Sequence, residues 1–495
     1  MASTVAGTGS NAQRPKHLSS AILLVLLIAG ASSAVRAESL DEALVSAYFT
    51  NPQLQAQRAA TRATDEDVPQ ARSAILPQIF GNAKAGYKQT EIDIDPSAIN
   101  KIFPDADIPN TRLEGDDAPY GYSVTLQQQI FKGLQNINSI REAEANALGA
   151  REDLRNTEQT TLLDAVTAYM NVVQNQAIVR LRENNVSVLT NYEASNQRQF
   201  NAGELTSTDL AQSKASRATA VGQLEAAKAQ YQSSLANYEE VIGHPAGNVF
   251  EPASIDSALP GSLGEAQEIA QVENPSIGSA FFQEVAAVKS VAQQRGQFLP
   301  EVNVELKYQD DYNPIEGIDF AREASAMVGV KVPFYQGGKV ASQVRQAKQI
   351  QIQRQEQLRQ AREQTRSSVV SAWTQVSSTQ AQLIADQASV ESNRVALAGV
   401  RREQKAGTRT VQDVLNAEQD YLTAQVQIVT DETNLVIANY TLLQAIGRLT
   451  AAYLRLPIAT YNAGIVDHSE RHLLWHTEIK PERSYYDYNQ GWEPK

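Results

Sequence analysis

The chain of 495 residues has no cysteine. That excludes disulfide staples, thiol nucleophiles, Cys-ligated zinc and iron–sulfur clusters. Aromatic residues are sparse, at 6%, and most are Tyr, whose apolar ring and polar tip suit boundaries between apolar and wet surroundings. Positive charge is in deficit: 43 Lys and Arg face 56 Asp and Glu, a formal net charge of −13. A surface that grips phosphate backbones needs the opposite balance, so no nucleic acid partner is expected. Beyond the first forty residues no apolar run approaches the length of a membrane-spanning helix, about 20 residues. Catalytic signatures are missing too. There is no HExxH and no Ser/His/Asp set in a motif context, and Gly337-Gly338-Lys339 lacks the upstream Gly of a phosphate-binding loop. Neither an enzyme nor a cofactor is expected.

The start of the chain carries Arg14 and Lys16, the apolar run Ala21 to Ala29, and small residues ending in Val35-Arg36-Ala37. This pattern reads as a secretory leader cut after Ala37. Residues 1–37 hold three basic and no acidic residues, so their removal leaves a net charge of −16. An exported chain without a spanning helix must cross any membrane it occupies with strands.

The rest is duplicated. Asn51-Pro52 and Leu76-Pro77 recur 223 residues on, as Asn274-Pro275 and Leu299-Pro300. Further along the offset becomes 204. It then relates Arg141 to Arg345, Tyr169 to Trp373, Ala202-Gly203 to Ala406-Gly407, Asp209 to Asp413 and Ile242-Gly243 to Ile446-Gly447. The first copy is therefore longer by 19 residues between Pro77 and Arg141. We divide the chain into a leader (1–37), a first repeat (38–243), a linker (244–263), a second repeat (264–448) and a C-terminal tail (449–495), the last expected to be partly disordered.

Each repeat opens with a helical stretch, Ser39 to about Arg72 or Gly264 to about Arg295. Period-two alternation follows, the mark of strands with one apolar and one wet face. Ile79, Gly81, Ala83, Ala85 and Tyr87 share a face, as do Tyr120, Tyr122, Val124 and Leu126; Val302, Val304, Leu306 and Tyr308; and Val328, Val330 and Val332. The acidic, Pro-containing stretch from about Glu91 to Pro119 reads as an outward loop. Long proline-free polar helices come next, Leu134 to about Phe200 and Val340 to about Gln404. Val369, Val376, Leu383, Val390 and Leu397 recur every seven residues, and Ala165, Val172, Val179 and Val186 do so in the first copy. Such a repeat signals supercoiled packing, with Gln380, Gln387 and Arg394 as polar companions. Gly203 and Gly407 break the helices at tight turns. Four strands per chain cannot close, since membrane barrels begin at about eight. The chain must therefore self-associate.

Glu38-Ser39-Leu40, Asn51-Pro52-Gln53-Leu54, Leu76-Pro77-Gln78 and the turn Gly407-Thr408-Arg409-Thr410-x-x-Asp413-Val414 resemble the TolC family of outer-membrane channel proteins. The resemblance runs from about Glu38 to Gly447. It implies a mainly α fold with a membrane β-barrel portion. Duplicated long helical hairpins and four strands per chain would assemble as a trimer with a twelve-stranded barrel and a twelve-helix periplasmic tunnel. It further implies an exit duct for efflux or type I secretion in the outer-membrane lipid, docked through a periplasmic adaptor on an inner-membrane transporter of the RND or ABC class. The alternative, a periplasmic adaptor itself, would show one hairpin within β-domains.

The same resemblance assigns the tip. Arg409 would pair with Asp209, beside Thr208, as a latch between helix ends. Gln404 stands where the family has a tyrosine. Asp413 would belong to a carboxylate ring at the constriction, and Asn416 stands where a second ring carboxylate is usual. Thr206-x-x-Asp209 and Thr410-x-x-Asp413 also read as capping boxes, which would explain both carboxylates without a gate. In the tail, His468, His472 and His476 have the i, i+4, i+8 spacing of helix-borne metal ligands, but a segment with Pro481, Gly491 and Pro494 reads better as solvated chain, so no metal is expected.

Overall fold

The computed structural model describes residues 37–458, apart from 103–104, 106–108, 110 and 316–317. The leader up to Arg36 and the three tail histidines lie outside the described residues. Ala37–Glu38 (β1) leads into Leu40–Thr50 (α1), Pro52–Asp65 (α2) and Asp67–Ser73 (α3). Gln78–Ala85 (β2) follows, then Lys88–Ile94 (β3), Ser97–Ile102 (α4) and Thr111–Asp117 (β4). Tyr120–Lys132 (β5) returns to the helix Gln135–Asn201 (α5), which turns into Ser207–Ile242 (α6). Past Asn248–Val249 (β6) come Leu263–Glu273 (α7), Pro275–Gly296 (α8), Glu301–Ile315 (β7), Ile318–Lys331 (β8), Lys339–Lys405 (α9) and Val411–Ala445 (α10).

The duplication is exact where the gapless offset requires it. α5 and α9 are each 67 residues, about 100 Å long at 1.5 Å per residue. The recurring Asn-Pro pairs also gain a reason. Asn51 Oδ1 accepts the N–H groups of Gln53 and Leu54, with Pro52 at the first helical position; Asn274 Oδ1 does the same for Ser276 ahead of α8. Their Nδ2 groups donate to the far ends of the hairpins, Asn51 to Val241 O (3.4 Å) and Asn274 to Ala445 O (2.9 Å). One side chain thus starts a helix and ties down the end of another. The single opening helix expected in each repeat is broken here, because the capping Asn sits in extended backbone and the residue before Pro is disfavoured in helix.

Four of the strands form an antiparallel sheet in the order β2-β5-β7-β8. No pairing joins β8 to β2 among the described residues, so both are open edges. The register places Ala83, Tyr122, Asp310 and Arg322 in one row, and Ala85, Tyr120, Tyr312 and Phe320 in the next row toward the strand turns. Apolar rows fill that face nearer the helices. The opposite face carries Lys84, Glu305, Lys307, Asp311 and Glu323, with ion pairs Lys84–Asp311 (3.0 Å) and Lys307–Glu323 (3.4 Å). A bulge at Gln129–Phe131 shifts the register at the helix end of β5. The stretch expected as an outward loop contains a paired hairpin, β3 with β4, whose alternation is obscured by acidic residues on both strands.

The largest core lies partway along the hairpins. It joins Leu44, Tyr48, Leu162, Val166, Tyr169, Tyr238, Ile242, Val369, Leu442 and Leu443. The Tyr169 hydroxyl lies 2.8 Å from the carbonyls of both Glu38 and Phe250, fastening β1 and its parallel partner β6 to α5. The linker is thereby part of the fold. So is the start of the tail: Leu449, Ala451 and Leu456 are buried in this core, and Ala451 N–H donates to Glu158.

The α9–α10 seam corrects the heptad reading. Val369, Val376 and Leu397 are buried as expected, but the companions of the stripe are Ala372, Thr379 and Asp386, three residues after Val369, Val376 and the half-buried Leu383. Gln380, Gln387 and Arg394 are exposed. A four-residue step was assumed where the seam uses three. Asp386 meets Asp431 of α10 in this seam. Both are buried, and Gln382 and Gln427 donate to them at 3.0 and 2.8 Å. The hydrogen bond to Asp431, with desolvation, raises the Asp386 pKa, while Asp431 is held low by the same hydrogen bond and its amide donors, although burial opposes this. The two carboxyls are therefore pushed apart in pKa. A carboxyl whose folded-state pKa is raised contributes best when protonated, so this stability is lost as pH rises above the ordinary Asp value of about 3.9. Asp386→Asn should therefore raise the thermal midpoint near neutral pH and change little near pH 4; equal shifts at both pH values in a calorimetric series would rule out the raised Asp386 pKa.

Candidate functional site

The two hairpin turns form the candidate site, at the end of the helices opposite the sheet. α5 ends at Ala202, and Gly203 (φ 79°) lets the chain reverse. Its N–H donates to Phe200 O at 3.0 Å, and Glu204 N–H donates to Gln199 O at 2.9 Å. The second turn repeats this, with Gly407 (φ 77°) donating to Gln404 O and Thr408 to Glu403 O, both at 3.0 Å. A side chain at either Gly would be strained in left-handed backbone.

Each return helix begins with a capping box. Thr206 Oγ1 accepts from Asp209 N–H at 3.2 Å while Asp209 Oδ2 accepts from Thr206 N–H at 3.2 Å and from its hydroxyl at 2.6 Å. Thr410 and Asp413 repeat the exchange at 3.2, 2.9 and 2.9 Å. The Thr410 donors, with Arg409 adding attraction, hold the Asp413 carboxyl below its usual range. It is therefore anionic throughout the neutral range.

Within one chain Arg409 does not meet Asp209. Its Nε donates to Glu403 Oε2 at 3.0 Å across the turn, and Asp209 is occupied by Thr206. Thr208 is exposed, Gln404 is half-buried, and Asn416 accepts from Gln412 Nε2 at 2.7 Å. Asn416 also lines a polar cavity of about 250 Å³ between α5, α6 and α10, with Asn185, Gln223 and Gln412. A small apolar cluster of Leu189, Ala220, Val411 and Leu415, with Leu205 packed against it, joins the two hairpins above the turns. Leu205 occupies the repeat position of Arg409.

Glu403 and the pair Arg401–Glu418 (2.5 Å, with Glu418 mostly buried) were not singled out from sequence. Glu403 precedes Arg409 by six residues, and a tight turn between them brings such residues together. That spacing was the available signal. No cluster of His, Asp and Glu able to hold a metal occurs among the described residues, and none of their helices is long and apolar enough to cross a membrane.

Comparison with known proteins agrees with this architecture. The model of the outer membrane efflux protein family matches residues 43–244 and 267–448, one match per repeat. The outer membrane efflux protein BepC of Brucella suis is 34% identical over 455 residues, 90% of this chain and 93% of that protein. The outer membrane protein TolC of Escherichia coli is 23% identical over 80% of this chain and 79% of its own length. Among solved structures, the Campylobacter jejuni CmeC outer membrane channel superposes with a TM-score of 0.72 at 16% identity, covering 83% of this chain and 86% of that one. Duplicated strand pairs, paired 67-residue helices and these matches have one meaning: the chain belongs to the outer membrane efflux protein family and is an outer-membrane channel component, not an enzyme.

Proposed function

We propose that three copies of this chain close a twelve-stranded barrel in the outer membrane and a twelve-helix tunnel in the periplasm, serving as a passive exit duct. The observation that carries this is the open four-stranded sheet. Its edges β2 and β8 leave a row of backbone groups unpaired, each costing several kcal/mol in lipid, and its apolar face has Val328 and Val330 more than half exposed. From Val302 to Tyr312 this face runs ten residue steps, about 33 Å along the strand. At the strand tilt of such barrels that matches an apolar band about 25 Å tall. Tyr120, Tyr122, Tyr308, Tyr312 and Phe320 supply an aromatic girdle at the turn end, and Phe334 and Tyr335, both almost fully exposed, supply one at the helix end. The charged face then lines a wet bore.

A duct of this kind conducts and does not pump. Energy comes from an inner-membrane transporter of the RND or ABC class, joined through a periplasmic adaptor at the tip. Cargo choice rests with that transporter. At the tip, Arg409 would leave Glu403 and reach Asp209 to hold the helix ends together, a charge-assisted contact that a docking partner can displace. Three copies of Asp413 would ring the constriction and favour cations, and Asn416 would leave that ring single.

Extraction and sizing test the assembly: the chain should fractionate with the outer membrane and run as a trimer, and a monomer in detergent would end the proposal. Deleting the gene while following both antibiotic sensitivity and secreted protein then names the cargo class. Arg409→Ala should raise single-channel conductance in a planar bilayer; unchanged conductance removes Arg409 from the gate. Asp413→Asn should lower cation selectivity and Asn416→Asp should raise it, as read from reversal potentials in a salt gradient. No change in either variant would leave Asp413 as a helix cap alone.

A further inference from the structure

Among the described residues, the apolar face of the sheet carries one ion pair. Asp310 of β7 and Arg322 of β8 are directly paired across the strands, in the row next to the outermost aromatic row. Both alternate in phase with Val304, Leu306, Val328 and Val330, so they project with the lipid-facing set. The two partners are unequal. The Asp310 side chain is 1% exposed and that of Arg322 is 57% exposed. Asp310 is fully occupied: it accepts from Arg322 Nε (2.9 Å) and Nη2 (3.2 Å), from the Tyr122 hydroxyl (2.7 Å) and from the Tyr308 hydroxyl (3.2 Å). Arg322 has spent two of its five N–H donors. The remaining three make no hydrogen bond among the described residues, and the side chain that carries them is more than half exposed. The Phe320 ring (5.0 Å) and the Tyr308 ring (5.9 Å) flank the cation.

We propose that Arg322 is a lipid-phosphate site: its outward N–H groups take a phosphate oxygen from a lipid headgroup in the outward-facing leaflet, while Asp310, Tyr122 and Tyr308 hold the guanidinium in place. The inference rests on the barrel reading above. Three features support it. Guanidinium presents two parallel donors to a phosphate, a geometry that gives both strength and orientation. An Arg on a barrel's lipid face is tolerated near the interface and unfavourable at the midplane, and the aromatic row beside Arg322 marks the interface. Barrel closure also brings no competing acid. β8 would meet β2 of the neighbouring copy, whose residues on this face are Ile79, Gly81, Ala83 and Ala85, all uncharged. Because the strand turns lie at the end away from the periplasmic helices, the headgroup belongs to the cell-surface leaflet, where a phosphorylated glycolipid is the occupant.

Native mass spectrometry of the purified assembly tests this, with diphosphoryl lipid A as probe and a phosphatidylcholine of matched chain length as control. The wild type should retain lipid A, one per subunit, in preference to phosphatidylcholine, and excess inorganic phosphate should compete. Asp310→Asn, which leaves Arg322 with no carboxylate partner, should retain more lipid A. The double variant Asp310→Asn with Arg322→Gln keeps a neutral hydrogen-bonded pair and should retain about tenfold less. If the pair serves only to brace the strands, Asp310→Asn loosens the assembly without gaining lipid, and the double variant binds as the wild type does; that result overturns the site. So does equal retention of phosphatidylcholine. The oligomer mass comes from the same spectra. A monomeric wild type overturns the barrel and this site together, whereas trimers indifferent to lipid A overturn the site alone.

Discussion

An unpaired backbone amide has nowhere to go in hydrocarbon. That constraint organises this molecule more than any side chain does. The four-stranded antiparallel sheet of each chain has two edges unpaired among the described residues, and they lie on different repeats, β2 in the first and β8 in the second. In the assembly proposed above, another copy satisfies them. The same requirement explains the two faces of the sheet. One must suit acyl chains, and it carries Ile79, Val124, Leu306 and Val328; the other must suit water, and there Lys84 is balanced by Asp311 and Lys307 by Glu323.

The helical part obeys a different economy. Hairpins about 100 Å long have little core per residue, and most of the buried apolar side chains gather partway along, around Tyr169, Tyr238 and Leu443. Elsewhere narrow seams suffice, and one of them accommodates the two buried carboxyls of Asp386 and Asp431. At the turns, caps do the work that packing does elsewhere. Thr206–Asp209 and Thr410–Asp413 are structural caps by their geometry. A capping carboxylate remains an anion at the helix end, so capping and a role in a constriction are compatible uses of one group.

Much of this was legible in the residues. The offset of 204 anticipated two matching long helices, and the Thr-x-x-Asp pairs anticipated both capping boxes. Alternation located the four strands of the sheet, because one buried and one wet face leave a period-two trace. Three features were not legible. Acidic residues on both strands of β3 and β4 hide their alternation. The true companion of the heptad stripe includes Thr379 and Asp386, polar residues that no hydrophobicity count would place in a seam. The Arg409–Glu403 contact depends on how tightly the turn closes, which the spacing permits but does not dictate. The family assignment rests on matches to both repeats, and sequence alone had already brought the same residues together.

The two turns look alike in backbone and differ in what fastens them. Leu205 anchors the first by packing on Leu189, Ala220, Val411 and Leu415, while its counterpart Arg409 anchors the second through an exposed ion pair with Glu403. Salt screens the second contact and leaves the first intact or tighter. The ends of the hairpins therefore differ in compliance: raising ionic strength softens one and spares the other. A ring of such ends would alternate stiff and soft, and the soft members would yield first under load.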